Sequence, residues 1–315
     1  METEGWAKLE LPVIEFKRDG KPTVHIEELC CSGADTQFPE RMGGGCEGIG
    51  HDAAAMSGSA PASLDAIIKL HSGEDSVKSV GYEVIDDDPE YISDHKCIVA
   101  TQQLADTVFS IFSYNVEGLC RKAKIDPTFS TRMNRFYKKM TPRVNKGFIM
   151  CLQEVALQKP GSLENAIDTL GKIHEVFLKQ VPEAKYRSDG YTGAIFYDGS
   201  VWDLRETLEI KREKSEKRSN AYRFGCSTGE IWVVNVHLKA LLSTAVPKMF
   251  QFVCDPGDIH SKELSNILRT VESNNDEFKA PIYLCGDYNN PVDKTNLIIC
   301  ALESPVPAAA TGWLW

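Results

Sequence analysis

What this chain lacks narrows its class first. No apolar run approaches the roughly 20 residues that carry a helix across a bilayer, which excludes a helical membrane span. The opening Met1-Glu2-Thr3-Glu4-Gly5-Trp6 is acidic and has neither the basic nor the apolar region of a signal peptide, so an intracellular protein, cytoplasmic or nuclear, is expected. Excess positive charge is missing as well. The formal net charge of −10 argues against a protein that coats nucleic acid through bulk electrostatics, because such binding needs clustered Lys and Arg. Among ten cysteines there is no CxxC pair, hence no zinc-knuckle signature. Cys97, Cys151 and Cys285 sit inside apolar runs, where a thiol acts as a small hydrophobe, and a reducing compartment fits that usage. Cys30, Cys31, Cys46 and His51 meet none of the usual metal spacings.

What is present is ordinary in bulk and specific in detail. With 315 residues, 42% hydrophobic and 25% charged, the chain has material for one large core or two modest ones. Its first 60 or so residues read as mostly irregular, apart from an alternating stretch at Leu9–Phe16 that makes a strand; Gly43-Gly44-Gly45 and the small-residue run that follows read as flexible loop. From residue 63 the pattern tightens into short apolar strands at 64–68, 77–85, 96–99, 108–114, 148–152, 193–197, 231–237 and 281–285. Basic helical sequence fills roughly 130–140. Leu163, Ala166, Ile167, Leu170, Ile173 and Phe177 recur at helical spacing, as do Leu264, Ile267, Leu268 and Val271. Short strands interleaved with helices make a β-sandwich layered with helices, its site at a rim where strand ends converge.

At those strand ends stand Asp65, Asp94, His95, Asn115, Glu154, His237, Asp287 and Asn289. Singly, each is a common turn former, cap or structural histidine. A carboxylate and a carboxamide two positions apart, as in Gly286-Asp287-Tyr288-Asn289, can hold a water and a phosphate oxygen together, which hydrolysis of a phosphate ester requires.

Taken with their flanks, these pieces resemble the endonuclease/exonuclease/phosphatase superfamily, the deoxyribonuclease-like fold. The matching segments are Phe112-Ser113-Tyr114-Asn115-Val116, Leu152-Gln153-Glu154-Val155, Gly193-Ala194-Ile195-Phe196-Tyr197, Val234-Asn235-Val236-His237-Leu238, Gly286-Asp287-Tyr288-Asn289, Ser63-Leu64-Asp65-Ala66-Ile67-Ile68 and Ser93-Asp94-His95. One departure is large. The segments around Asp65 and Ser93-Asp94-His95 come last in the family and first here, which implies a circular permutation whose former ends are joined by a hairpin between 99 and 108; a gene fusion or mis-assembled gene is the competing account.

The resemblance implies an α+β fold, a four-layer α/β-β/α sandwich of two packed mixed sheets flanked by helices. It divides the chain into an irregular, partly disordered segment 1–62, a catalytic domain 63–291 and a C-terminal segment 292–315 packing on it. It further implies hydrolysis of a phosphodiester with Mg²⁺ or Mn²⁺, which favour oxygen ligands. Glu154, Asn115 and Asp94 are then the metal ligands. Asp287 orients and deprotonates the attacking water, and Asn289, His237 and Asn115 bind the phosphate. His95 faces the developing charge as a cation held by Asp65. Family members act on DNA, RNA tails, phosphoinositides, sphingomyelin and protein–DNA adducts. The run Arg132, Arg135, Lys138, Lys139, Arg143 and Lys146 favours a polyanion, so a nucleic acid is the first substrate class and a phosphoinositide or nucleotide the second. An inactive binding or scaffold module is the reading from another class, and protein partners are left open.

Overall fold

The structure, a computed structural model, describes residues 13–17, 23–31, 65–73, 77–85, 92–93, 95–117, 119, 129–155, 162–188, 193–211, 218–238, 256–275, 279–289 and 294–303. Along them run β1 (Val13–Phe16), β2 (Val24–Cys31), β3 (Asp65–His71), β4 (Val77–Ile85), β5 (Cys97–Leu104), β6 (Thr107–Asn115), α1 (Phe129–Met140), β7 (Ile149–Gln153) and α2 (Ser162–Leu178). There follow β8 (Ala184–Ser188), β9 (Ala194–Asp198), β10 (Asp203–Lys211), β11 (Arg218–Cys226), β12 (Gly229–His237), α3 (Pro256–Glu272), β13 (Ile282–Asp287) and α4 (Lys294–Glu303).

The strands form two sheets, in the orders β1-β2-β3-β13-β12-β11-β10 and β4-β5-β6-β7-β9-β8. Each contains one parallel pair, β12 with β13 and β6 with β7, so both sheets are mixed. Strand periodicity sorts the apolar residues into three layers. Trp232, Val234, Val236, Ile282 and Leu284 face outward and meet Leu264, Ile267, Leu268 and Val271 of α3 with Leu297, Ile298 and Ala301 of α4. Ile231, Val233, Tyr283, Cys285 and Ile67 face inward, against Ile111, Ile149, Cys151 and Ile195 of the other sheet. That sheet's outer residues, Phe112, Tyr114, Met150, Leu152 and Phe196, pack under Met133, Phe136 and Met140 of α1 and Leu170, Ile173 and Phe177 of α2. Helix, sheet, sheet, helix is the four-layer α+β sandwich expected. Strands covered on both faces lose the polar half of their alternation, which is why β3, β7, β9 and β13 are buried along their whole length.

Several elements differ from the sequence reading. Inside the segment expected to be irregular, β1 and also β2 extend the first sheet, β2 pairing antiparallel with β3. Its charged residues hide it: Glu27 accepts from His71 at 2.7 Å and from Lys69 at 3.4 Å, partners that only the fold supplies. Two further strands that the sequence reading does not contain, β10 and β11, pair antiparallel from Asp203↔Gly225 to Lys211↔Arg218. Arg223 bonds Glu230 there at 2.7 Å, and Arg205 pairs with Glu230 as well, so cross-strand ion pairs stand where apolar residues would mark a strand. In the C-terminal segment α4 is helical and packs on the first sheet's outer face. The glycine-rich stretch 33–61, with Cys46 and His51, lies outside the described residues. No helix among the described residues is long and apolar enough to cross a membrane.

Candidate active site

At one rim of the sandwich the inward-facing apolar layer stops and polar side chains take its place. On the first sheet His237 of β12 stands opposite Asp287 of β13, and Asp287 opposite Asp65 of β3, giving one row of three. The approach that allows it is tight, for a Cβ built on Gly286 meets the Val236 carbonyl oxygen at 1.7 Å. Only glycine lets the parallel pair close just before Asp287. On the second sheet Asn115 of β6 stands opposite Gln153 of β7, and Glu154 follows at once. Backbone turns finish the rim. Glu154 (φ 53°), Asn289 (φ 47°) and Glu117 (φ 45°) all adopt the left-handed conformation, which costs a non-glycine residue roughly 1–2 kcal/mol. Three such residues around one rim mark it as a place where geometry has been held against local preference.

The contacts join both sheets and both ends of the chain. His95 Nδ1 lies 2.8 Å from Asp65 Oδ2, and its Nε2 lies 3.9 Å from Asp287 Oδ2. His237 Nε2 lies 3.3 Å from Glu154 Oε1 and 3.9 Å from the same Asp287 oxygen. Asn115 Nδ2 donates to Asp287 Oδ2 at 2.9 Å, while Asn115 Oδ1 accepts from the Glu117 N–H at 3.0 Å. The Asn289 N–H donates to Asp287 Oδ1 at 2.7 Å. Asp287 is thus an acceptor held by Asn115 and Asn289 and flanked by two imidazoles.

Depth divides the group into a floor and a mouth. Asp65, Asn115 and Asp287 are all but fully buried, whereas His95, His237 and Glu154 keep 14%, 12% and 27% of their side chains in solvent. Burial alone would raise the Glu154 carboxyl. Hydrogen bonding to His237, the charges of His237 and His95, and a hydrogen bond to Asn115 outweigh it and bring the value down to about 2. Glu154 is therefore an anion at the mouth at neutral pH.

Two sets of side chains bring ligand atoms within 4.8 Å of one another, Glu154 with His237 and Asp287, and Asp65 with His95 and Asp287. The second is internally committed by the Asp65–His95 hydrogen bond. The first offers an ionised, partly exposed carboxylate beside a buried one, a donor set that fits a hard divalent cation.

The rim thus assembles Asp65, His95, Asn115, Glu154, His237, Asp287 and Asn289. Asp94 lies outside the described residues. Asn289 needs a correction. Its Nδ2 donates to Leu238 O at 2.9 Å and Asp287 Oδ2 at 3.0 Å, so both amide hydrogens are committed to the protein and none is left for a phosphate. Within the basic run the side chains divide. Arg132 is fully buried and Arg143 pairs with Glu83 at 2.8 Å, which leaves Lys138 and Lys146 as the exposed cations of the run. Sequence reasoning passed over Gln153 and Asn235. Gln153 Nε2 donates to Asn235 Oδ1 at 2.8 Å and Asn235 Nδ2 to Leu152 O at 3.0 Å, tying the two sheets together directly behind Glu154 and His237. Their signal was position: each stands within two residues of an assigned one, on an inward-facing strand site.

No family model and no curated protein matches the chain. Solved structures do. They include the human Nocturnin catalytic domain with bound sulfate, at 16% identity over 58% of this chain and 66% of that one, TM-score 0.43. A humanized D. rerio TDP2 matches at 17% identity over 59% of this chain and 65% of that one, TM-score 0.38. A mannosyl-6-phosphatase of Bacteroides thetaiotaomicron matches at 17% identity over 61% of this chain and 69% of that one, TM-score 0.40. The chain spans just under two thirds of the length of the first two.

Proposed function

We propose that this chain is a metal-dependent phosphoesterase of the endonuclease/exonuclease/phosphatase superfamily, with its segments in permuted order, that hydrolyses phosphodiester bonds. Nucleic acid is the first substrate class, and a phosphoinositide or nucleotide the second. One observation carries the reading. Asp65 and His95, from early in the chain, meet His237 and Asp287, from late in it, around a carboxylate oxygen that both histidines approach at 3.9 Å. The β5–β6 hairpin, closing at Leu104↔Thr107, supports the permuted order, because the former ends must be joined there. The catalytic unit is 63–291, to which β1, β2 and α4 add strands and cover. An intracellular compartment goes with this reading, supported by buried free thiols at Cys30, Cys97, Cys151 and Cys285.

Each side chain's part follows from its contacts. Asp287, fixed through the amides of Asn115 and Asn289, orients the attacking water and takes up its proton. His237 donates to a phosphoryl oxygen at the mouth. His95, its Nδ1 hydrogen held by Asp65, presents Nε2 as the cationic donor to the charge that builds on phosphorus oxygens in the transition state. Asn289 serves by locking Asp287 rather than by touching substrate. Glu154, with Asp287 beside it and Asp94 as a further candidate, would hold Mg²⁺ or Mn²⁺, which supplies charge neutralisation at the phosphoryl group. Asn115, whose Nδ2 bonds Asp287 and whose Oδ1 accepts from the Glu117 N–H, acts mainly by holding the Asp287 carboxylate in place.

The test is thermal unfolding of the full chain across a Mg²⁺ and Mn²⁺ titration. A ligand that binds only the folded state stabilises by about 2.7 kcal/mol at one hundred times its Kd, and Glu154→Ala should abolish that gain. A parent protein indifferent to both ions, or a gain that survives Glu154→Ala, would favour the inactive scaffold instead.

A further inference from the structure

Arg132 occupies a core position of α1, in line with Phe136 and Met140, and all three have no solvent exposure. A guanidinium is expensive to bury unless its N–H groups are satisfied. Here the acceptors are main-chain carbonyls of two separate segments. Nε donates to Ile92 O at 2.7 Å, Nη2 to the same oxygen, and Nη2 also to Val116 O at 2.9 Å, while the Glu117 carboxylate lies 3.9 Å away. These segments deliver His95 and Asn115 to the site. Ser93 fastens them a second time, its hydroxyl donating to Asn115 O at 2.6 Å and accepting from the His95 N–H at 3.2 Å.

Strand pairing does not hold His95. The β5–β6 ladder runs from Leu104↔Thr107 to Ile98↔Ser113, and residues 92, 93 and 95 lie beyond it. The height of the imidazole over Asp287 therefore depends on what anchors that segment from below. A forked cation can bind carbonyls from both segments at once, whereas the single ammonium of a lysine cannot reproduce the fork.

We infer that Arg132 is a positioning residue: it clamps the segment carrying His95 to the end of β6 that carries Asn115 and so sets the imidazole against Asp287. For kinetics the inference rests on the phosphoesterase reading; for geometry it stands alone. The test is Arg132→Lys in the full chain, read in two ways. Steady-state hydrolysis of bis(p-nitrophenyl) phosphate with Mn²⁺ should show kcat lowered about tenfold to a hundredfold with KM kept within about twofold, since displacement of a catalytic group by about 1 Å costs that much. In metal-free protein the downfield proton resonance of His95 Nδ1–H, bonded to Asp65, should move or be lost to exchange. A purely structural arginine would lower the melting temperature and leave both the resonance and the kcat of folded protein unchanged, which overturns the inference. Should Arg132→Lys not fold, Ser93→Ala cuts the other fastening and must give the same signature; an unmoved resonance there overturns it equally. If the parent protein does not hydrolyse the probe, that result counts against the phosphoesterase reading and not against the clamp, and the resonance alone decides the role of Arg132.

Discussion

Replacing Glu154 with glutamine keeps the shape of the mouth and removes one charge, and the sign of its effect on stability changes weight with pH. Burial would raise the Glu154 carboxyl, yet His237, His95 and Asn115 bring it from 4.5 to about 2. A carboxyl depressed in the folded state adds stability that is complete above its unfolded value of 4.5 and is lost as pH falls through the folded value of about 2. At about 1.4 kcal/mol per pH unit that lowering is worth at most about 3.5 kcal/mol. Since 27% of the side chain meets solvent, we halve it to about 1.7 kcal/mol for screening. More than half of that, about 1 kcal/mol, should vanish between roughly pH 6 and roughly pH 3. Urea unfolding of the parent and Glu154→Gln, both metal-free because a bound cation would itself hold the carboxylate, measures the difference. The parent's stability should fall by about 1 kcal/mol more than the variant's over that interval. Parallel curves would refute the reasoning, for they would mean that the imidazoles do not hold Glu154.

Asp65→Asn should lower kcat about tenfold to 150-fold, the value of one charge-assisted hydrogen bond of about 1.5–3 kcal/mol, with KM little changed; equal turnover in the two proteins removes Asp65 from the mechanism. Gly286→Ala should destabilise by about 3 kcal/mol or more in urea, because its Cβ would lie 1.7 Å from a main-chain oxygen that cannot turn aside. A loss under about 1 kcal/mol would show that β12 and β13 do not meet in this register.

The core strands were legible because they are covered on both faces: β7 and β13 read as unbroken apolar runs. Their polar residues sit where apolar runs stop, and that placement made His237, Asp287 and Glu154 visible. Strands whose exposed positions exchange charges were not. β2 and β10 carry Glu27, Arg205 and Glu206 in contacts with residues of other strands, which no local periodicity announces. Arg132 was misread for a related reason: a cation in an amphipathic helix looks solvated until the carbonyls it binds, at Ile92 and Val116, are brought to it. The direction of an amide is likewise beyond sequence, so Asn289 was assigned to a phosphate although its hydrogens go to Leu238 and Asp287. Positive φ at Glu154 and Glu117 has no residue signature, unlike a glycine turn.

The most direct measurement is kcat/KM of the full chain with Mg²⁺ on a panel of single-stranded DNA, RNA, a phosphoinositide and a generic phosphodiester, beside His95→Ala, Asp287→Ala and the double variant. One shared site predicts hydrolysis of at least one substrate, a loss of about a hundredfold or more for each single variant, and a double variant little worse than either. An inactive parent, or a His95→Ala variant that turns over like the parent, would contradict it.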